Sequence, residues 1–146
     1  DLEIILNGCI KTLEDMDLHL QHVDGVMIGR EAYHNPYFMA SFDERYYGDV
    51  TPVKSREEIL QHMIPYIYQQ LELHGNGGKG LRLNTVVRHM LGLMMGLVGA
   101  RVFRQILSDS KRLASGKPEL LLEAALAMQS VTAFDRNQEV PVSVAA

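Results

Sequence analysis

The spacing of apolar positions changes partway along the chain. Residues 2–6 form an apolar run broken only by Glu3, and residues 26–28 form a second. Runs of this kind predict short strands buried on both faces. Between them Leu13, Met16 and Leu20 recur at helical spacing. Thr12 with Asp15 three residues later resembles a capping box, so a helix is predicted over residues 12–22, covering the sheet. Each strand is followed by a glycine, Gly8 or Gly29, and then by a helix. A return to the sheet through a helix within about twenty residues is the geometry of parallel strands. Asn35 ahead of Pro36 predicts a further helix running to Tyr47 and stopping at Gly48. Residues 48–54, with Pro52 among them, read as a linker.

Beyond the linker the pattern predicts helices and no strands. Ser55 and Glu58 form a second capping box. Ile59, Met63, Ile67 and Leu71 then recur every fourth residue, with Pro65 expected to kink the helix. Residues 75–78 read as a flexible loop. Residues 83–96 are apolar on most sides and predict a buried helix. Within them Gly92 and Gly96 suggest close helix packing, and Gly96 and Gly99 are expected to bracket a turn. Residues 101–113 predict one amphipathic helix. Val102, Phe103, Ile106 and Leu107 lie on one face; Arg101, Arg104, Ser108, Lys111 and Arg112 lie on the other. Gly116 ends it and Pro118 starts a last helix lined by Leu121, Leu122, Ala125, Leu126 and Met128. Met90, Met94, Met95 and Met128 are read as core. Residues 134–146 show no period and are expected to fray.

The predicted architecture is therefore α/β followed by all-α. Residues 1–50 would supply the last two βα units, strands seven and eight, of a (β/α)₈ barrel. Residues 51–133 would form a helical bundle domain and residues 134–146 a tail. A chain that opens directly on a strand is expected to be a piece of a longer protein. Two strands are marginal by themselves. The barrel part is accordingly expected to bury them poorly, and to rearrange, lose order or associate through them.

Composition and charge sharpen this picture. The 146 residues suit one ordinary domain or two small pieces. The longest apolar run, residues 90–100, is interrupted by three glycines and is too short for a membrane span of about 20 residues. The sole cysteine, Cys9, excludes an internal disulfide and fits a reducing compartment. The net charge of −4 conceals an asymmetry. Residues 1–78 carry 5 basic and 13 acidic side chains, whereas residues 79–117 carry 8 basic and 1 acidic, a local net +7. A basic block in an acidic chain points to a local anionic partner.

Two groups of residues could carry chemistry. The backbone N–H groups at Gly8, Cys9, Gly29 and Arg30, with the Arg30 guanidinium, suit a phosphate held where two βα units end, a frequent arrangement after strands seven and eight of a barrel. The competing reading is that both glycines mark ordinary turns at strand ends. Arg101, Arg104, Lys111 and Arg112, with Lys79, Arg82, Arg88 and Lys117 nearby, suit nucleic-acid phosphates, or else form a solvated face. A helical interaction module whose basic face meets a protein or membrane, with no catalytic role, is the rival reading. Cys9 has no evident base beside it, and His19 and His22 have no further ligands clustered with them. No metal site is predicted.

Residues 7–12 (Asn-Gly-Cys-Ile-Lys-Thr), residues 24–37 (Asp-Gly-Val-Met-Ile-Gly-Arg-Glu-Ala-Tyr-His-Asn-Pro-Tyr), and Arg88-His89-Met90-Leu91-Gly92-Leu93 with Gly99-Ala100-Arg101 and Arg104 resemble the C-terminal barrel segments and helical domain of A-type bacterial tRNA-dihydrouridine synthases. The resemblance covers most of residues 2–128. It implies a cytoplasmic oxidoreductase acting on a CH–CH bond. FMN at the mouth of a (β/α)₈ barrel, reduced by NADPH, would convert a flipped uridine of the tRNA D-loop to dihydrouridine. By this resemblance Asn7, Gly8, Cys9, Gly29 and Arg30 would hold the FMN phosphate. Arg88, Arg101 and Arg104 would face tRNA or support the surface that does, and Lys111 and Arg112 extend that basic face. Neither DNA nor membrane is an expected partner. Two positions depart from the family pattern: Cys9 replaces a second glycine, and Val98 replaces a proline. The family's catalytic cysteine, flavin-contacting lysine and histidine lie upstream of the matching segments. No catalytic residue is therefore assigned here, and these 146 residues alone are expected to lack reductase activity.

Overall fold

The strand-forming runs pair as their length allows. In the computed structural model, which describes residues 2–75 and 80–138 and the side chains as far as Ser130, β1 (Ile5–Asn7) lies parallel to β2 (Gly25–Met27). Ile5 is opposite Gly25 and Asn7 opposite Met27. The Asp24 carboxylate accepts from the Ile4 N–H at 2.9 Å, and the Asp24 N–H donates to the Ile4 carbonyl, extending the pairing by one step. α1 (Leu13–Leu20) joins the strands and packs on β2 through Met16, which is 3 % exposed. It starts where Thr12 accepts from the Asp15 N–H.

The strands are not covered on both faces; they are poorly buried, as expected of two strands by themselves. Ile4 is 55 % and Ile5 60 % exposed. With one strand neighbour each among the described residues, β1 and β2 have little to bury against.

The chain divides into two compact units, Asp1–Val53 and Lys54–Ala146. The first unit closes with α2 (Arg30–His34), a 3₁₀ segment (Pro36–Ser41) and α3 (Phe42–Tyr47). This corrects the single helix predicted from Asn35. The Asn35 side chain makes no cap; its amide donates instead to Glu31 at 3.1 Å, and Pro36 opens a tighter 3₁₀ turn. Gly48, at φ +68, terminates α3 as expected. Arg45 and Tyr46 of α3 both donate to Asp17 of α1, Tyr46 at 2.9 Å. The Arg45 hydrogen bond is the main reason the Asp17 carboxyl is held below its ordinary pKa.

In the second unit α4 (Arg56–His74) begins at the capping box in which Ser55 and Glu58 satisfy each other. It continues through Pro65. Its most buried positions are Leu60 and Ile67, so the core stripe includes Leu60, which the every-fourth-residue reading omitted. α5 (Leu83–Val87) is short, and a 3₁₀ turn (Arg88–Met90) follows. The predicted helix over residues 83–96 therefore ends early. The N–H groups of Leu93, Met95 and Leu97 donate to carbonyls three residues back, and Gly96 adopts φ +81. Glycines in a helix interior cost about 1 kcal/mol each, enough to tip this segment into successive tight turns. Arg56 fastens the turns to α4 by donating to the Leu93 carbonyl at 2.8 Å.

The amphipathic stretch after Gly99 is also divided, into α6 (Ala100–Ile106) and α7 (Ser110–Leu113). Asp109 is responsible: its carboxylate accepts from the Lys111 N–H at 2.8 Å and restarts the helix. α8 runs over Leu120–Gln138, so residues 134–138, expected to fray, are helical; residues 139–146, and residues 76–79 within the stretch predicted as a loop, lie outside the described residues. α6 and α4 pack on α8, and Tyr68 ties α4 to Glu119 just ahead of α8 at 2.8 Å. Phe103, Leu60, Ile67, Leu107 and Leu121 are the fully buried centre. Met90, Met94 and Met128 are core, whereas Met95 is 46 % exposed. A close approach is present at Gly99 and absent at Gly96. A Cβ on Gly99 would lie 3.1 Å from the Met128 Cα, while one on Gly96 would meet nothing within 4 Å. No helix among the described residues is long and apolar enough to cross a membrane.

Candidate phosphate pocket and nucleic-acid interface

The first unit carries a cavity of about 530 Å³ where its two βα turns meet. Asn7, Gly8, Cys9, Gly29 and Arg30 all line it. The chain leaves β1 through two successive positive φ angles, +113 at Gly8 and +58 at Cys9. That reversal places the turn beside the other glycine, Gly29, which precedes α2. A Cβ added at Gly8 would meet nothing within 4 Å, so the space above the turn is open. Lys11, Glu31 and His34 line the same cavity and were not singled out from the sequence. Lys11 follows the turn by two residues, a position that could have been read from the motif. His34, the last residue of α2, lines the pocket from the other end of that short helix.

The donor set suits a phosphate group. Lys11 and Arg30 bring fixed positive charge, and main-chain N–H groups at a helix start bind anions without a side-chain rearrangement. Glu31 is the sole carboxylate in the lining among the described residues, and it accepts from the Asn35 amide.

Cys9 is the one non-glycine residue at positive φ among the described residues. The left-handed region costs an L-residue about 1–2 kcal/mol. Cys9→Gly is therefore expected to raise the stability of the chain by about 0.5–1 kcal/mol, after allowing for the greater freedom of glycine when unfolded. Cys9→Val should lower it, since a β-branched residue tolerates this region least. Urea unfolding of both variants measures the difference; equal midpoints would show that the turn stores no strain at this position.

The basic residues of the second unit are distributed differently from the single stripe expected. Arg101 and Arg104 stand exposed on α6, one turn apart, with Phe103 between them turned into the core. Lys111 and Arg112 sit on the separate α7, where Arg112 lies 3.9 Å from Asp109. Arg88 starts the 3₁₀ turn and lines a second cavity of about 540 Å³, together with Arg82 and Ser110. Arg82, first noticed only as a neighbour in sequence, is brought to Arg88 by the turn into α5. Among the described residues no group of three or more His, Cys, Asp or Glu side chains is arranged to hold a metal ion.

Comparison with known proteins bears on most of the chain. A family model described as dihydrouridine synthase (Dus) matches residues 1–131. A protein of Pseudomonas syringae pv. tomato named tRNA-dihydrouridine(20/20a) synthase is 51 % identical over 125 residues, covering 86 % of this chain and 35 % of that protein. Proteins of the same name from Vibrio parahaemolyticus and Synechocystis sp. are 46 % and 44 % identical. Those matches cover 84 % and 88 % of this chain, and 36 % of each of those proteins. The chain thus spans about a third of the length of these relatives.

Proposed function

Because the chain belongs to the dihydrouridine synthase family, we propose that it forms the C-terminal part of an A-type, flavin-dependent tRNA-dihydrouridine synthase. In this reading the first unit contributes the last two βα units of a (β/α)₈ barrel and the second unit is a helical tRNA-binding domain. The observation that carries the proposal is the gathering of Asn7, Gly8, Cys9, Gly29 and Arg30 around one cavity from two successive βα turns. The name shared by the relatives supports tRNA as the substrate and uridine reduction as the reaction.

The division of labour follows from the residues. The turn at Gly8 and Cys9, the start of α2 and the Arg30 guanidinium would hold the phosphate of FMN, with Lys11 adding charge. When bound, FMN supplies the hydride chemistry, with NADPH as reductant. The exposed β1 and β2 would find their missing neighbours in the remainder of the barrel, consistent with the exposure of Ile4, Ile5 and Met27. Arg88, Arg101, Arg104, Lys111 and Arg112 would contact tRNA phosphates, where each neutralised charge steepens the salt dependence of binding. Such an enzyme would work in the cytoplasm, where its tRNA is found.

The test is tRNA binding by fluorescence anisotropy at two salt concentrations. The double variant Arg101→Glu/Arg104→Glu should bind about 100-fold more weakly at low salt, with a salt slope shallower by roughly 2. Both side chains are exposed, so folding should be retained. Unchanged tRNA affinity in a folded double variant would remove α6 from the RNA surface.

A further inference from the structure

The second cavity has a composition that phosphate contact alone does not explain. Its cations, Arg82 and Arg88, are exposed, while Leu107 is fully buried and Leu91 and Leu113 are half-buried. The cavity therefore has a cationic outer side and an apolar inner side. No carboxylate among the described residues lines it; Asp109, between the lining residues Ser108 and Ser110, caps α7 and lies beside Arg112. The volume of about 540 Å³ falls in the range of small-ligand sites, roughly 300–1,000 Å³.

We propose that this cavity accepts one unstacked nucleotide of an RNA, its base against Leu91, Leu107 and Leu113 and its phosphate between Arg82 and Arg88. The inference rests on the reading of tRNA as partner and adds to it a specific point of capture. An anion alone would leave the apolar side unused, and an apolar ligand alone would set no negative charge beside the two cationic side chains. A nucleotide satisfies both. Proteins take hold of unpaired RNA in this way, with the base on an apolar or aromatic surface and a cation at the backbone. The position within the basic block, net +7 over residues 79–117, favours RNA over a neutral metabolite. A base paired in a duplex is stacked and cannot enter, so the site would select a loop or a flipped position. Ser110 and Asn84 supply polar groups for the edge of the base.

The experiment fills the cavity without altering charge. Ala114, exposed at the end of α7, lines it. In the 146-residue chain, Ala114→Phe should weaken tRNA binding about tenfold with the salt slope unchanged, since base contacts rather than phosphate contacts are lost. Its unfolding midpoint establishes that the variant is folded. The direct measurement is an amide NMR titration with uridine 5′-monophosphate and, separately, inorganic phosphate. Leu91 and Ser110 should shift with the nucleotide and much less with phosphate. Equal shifts with both would reduce the site to an anion site and overturn base insertion. Wild-type tRNA affinity in folded Ala114→Phe, with binding lost in Arg101→Glu/Arg104→Glu, would overturn the cavity inference and leave the tRNA reading intact. Absence of tRNA binding by the unaltered chain would overturn both.

Discussion

Phe103→Ala is expected to destabilise the helical unit by about 3–5 kcal/mol, the range for deleting a buried phenyl ring. Phe103 is fully buried at the middle of α6, the helix that packs most extensively on α8, and Leu121 and Ala124 of α8 are also completely covered. The cost combines lost transfer energy with the cavity left between helices that cannot fully collapse. A domain holds only about 5–15 kcal/mol in total, so this change removes about a fifth of it or more. The unfolding temperature should fall by at least about 12 °C. Val102→Ala, next along the helix and half-buried, is the control and should cost much less. A shift no larger for Phe103→Ala than for Val102→Ala would show that α6 does not pack on α8 in solution. The consequence for function is direct: Arg101 and Arg104 flank Phe103, so the ring that anchors the helix also sets where the two guanidinium groups stand.

The second large effect is expected at Gly99, where Ala should cost about 2–5 kcal/mol. Two penalties add. The residue sits at φ +80, in the left-handed region that costs an L-residue about 1–2 kcal/mol. The new Cβ would also lie 3.1 Å from the Met128 Cα and carbonyl oxygen, main-chain atoms that cannot swing aside, and overpacking of this kind costs about 1–3 kcal/mol. Gly96→Ala separates the two. Gly96 has nearly the same φ, +81, but nothing within 4 Å of the added methyl. Its cost should be the conformational part alone, about 1–2 kcal/mol. Chemical unfolding of the two variants gives the difference; equal destabilisation would mean that α8 does not approach Gly99 this closely.

These two glycines also show where sequence reading stops. Both were expected to bracket a turn, and both adopt positive φ. That only one of them touches another helix depends on Met128, about thirty residues away, and no local pattern carries that information. The same holds for Met95, which belongs to an apolar run yet faces outward, and for Leu60, which lies outside the four-residue repeat yet is fully buried. Apolar content fixes neither which side of a short turn faces the core nor which row of a long helix meets its neighbour.

The sequence by itself determined the features governed by near neighbours: the capped starts at Thr12 and Ser55, the glycine stop at Gly48, the two βα turns with their glycines, and the family to which those motifs point. It also singled out Asn7, Gly8, Cys9, Gly29 and Arg30, which the fold places around one cavity. Tertiary structure decided what depends on distant contacts or on competition between similar local energies. Asp109 divides a continuous amphipathic pattern because its carboxylate satisfies N–H groups of a new helix at little cost. Gly92 and Gly96 turn a predicted helix into tight turns that are then held by Arg56 through the Leu93 carbonyl. Arg82 and Arg88 come to line one cavity with Ser110 only through that folding. Local hydrogen bonding and backbone preference are written in adjacent residues, whereas burial and the meeting of side chains from separate helices are properties of the packed whole.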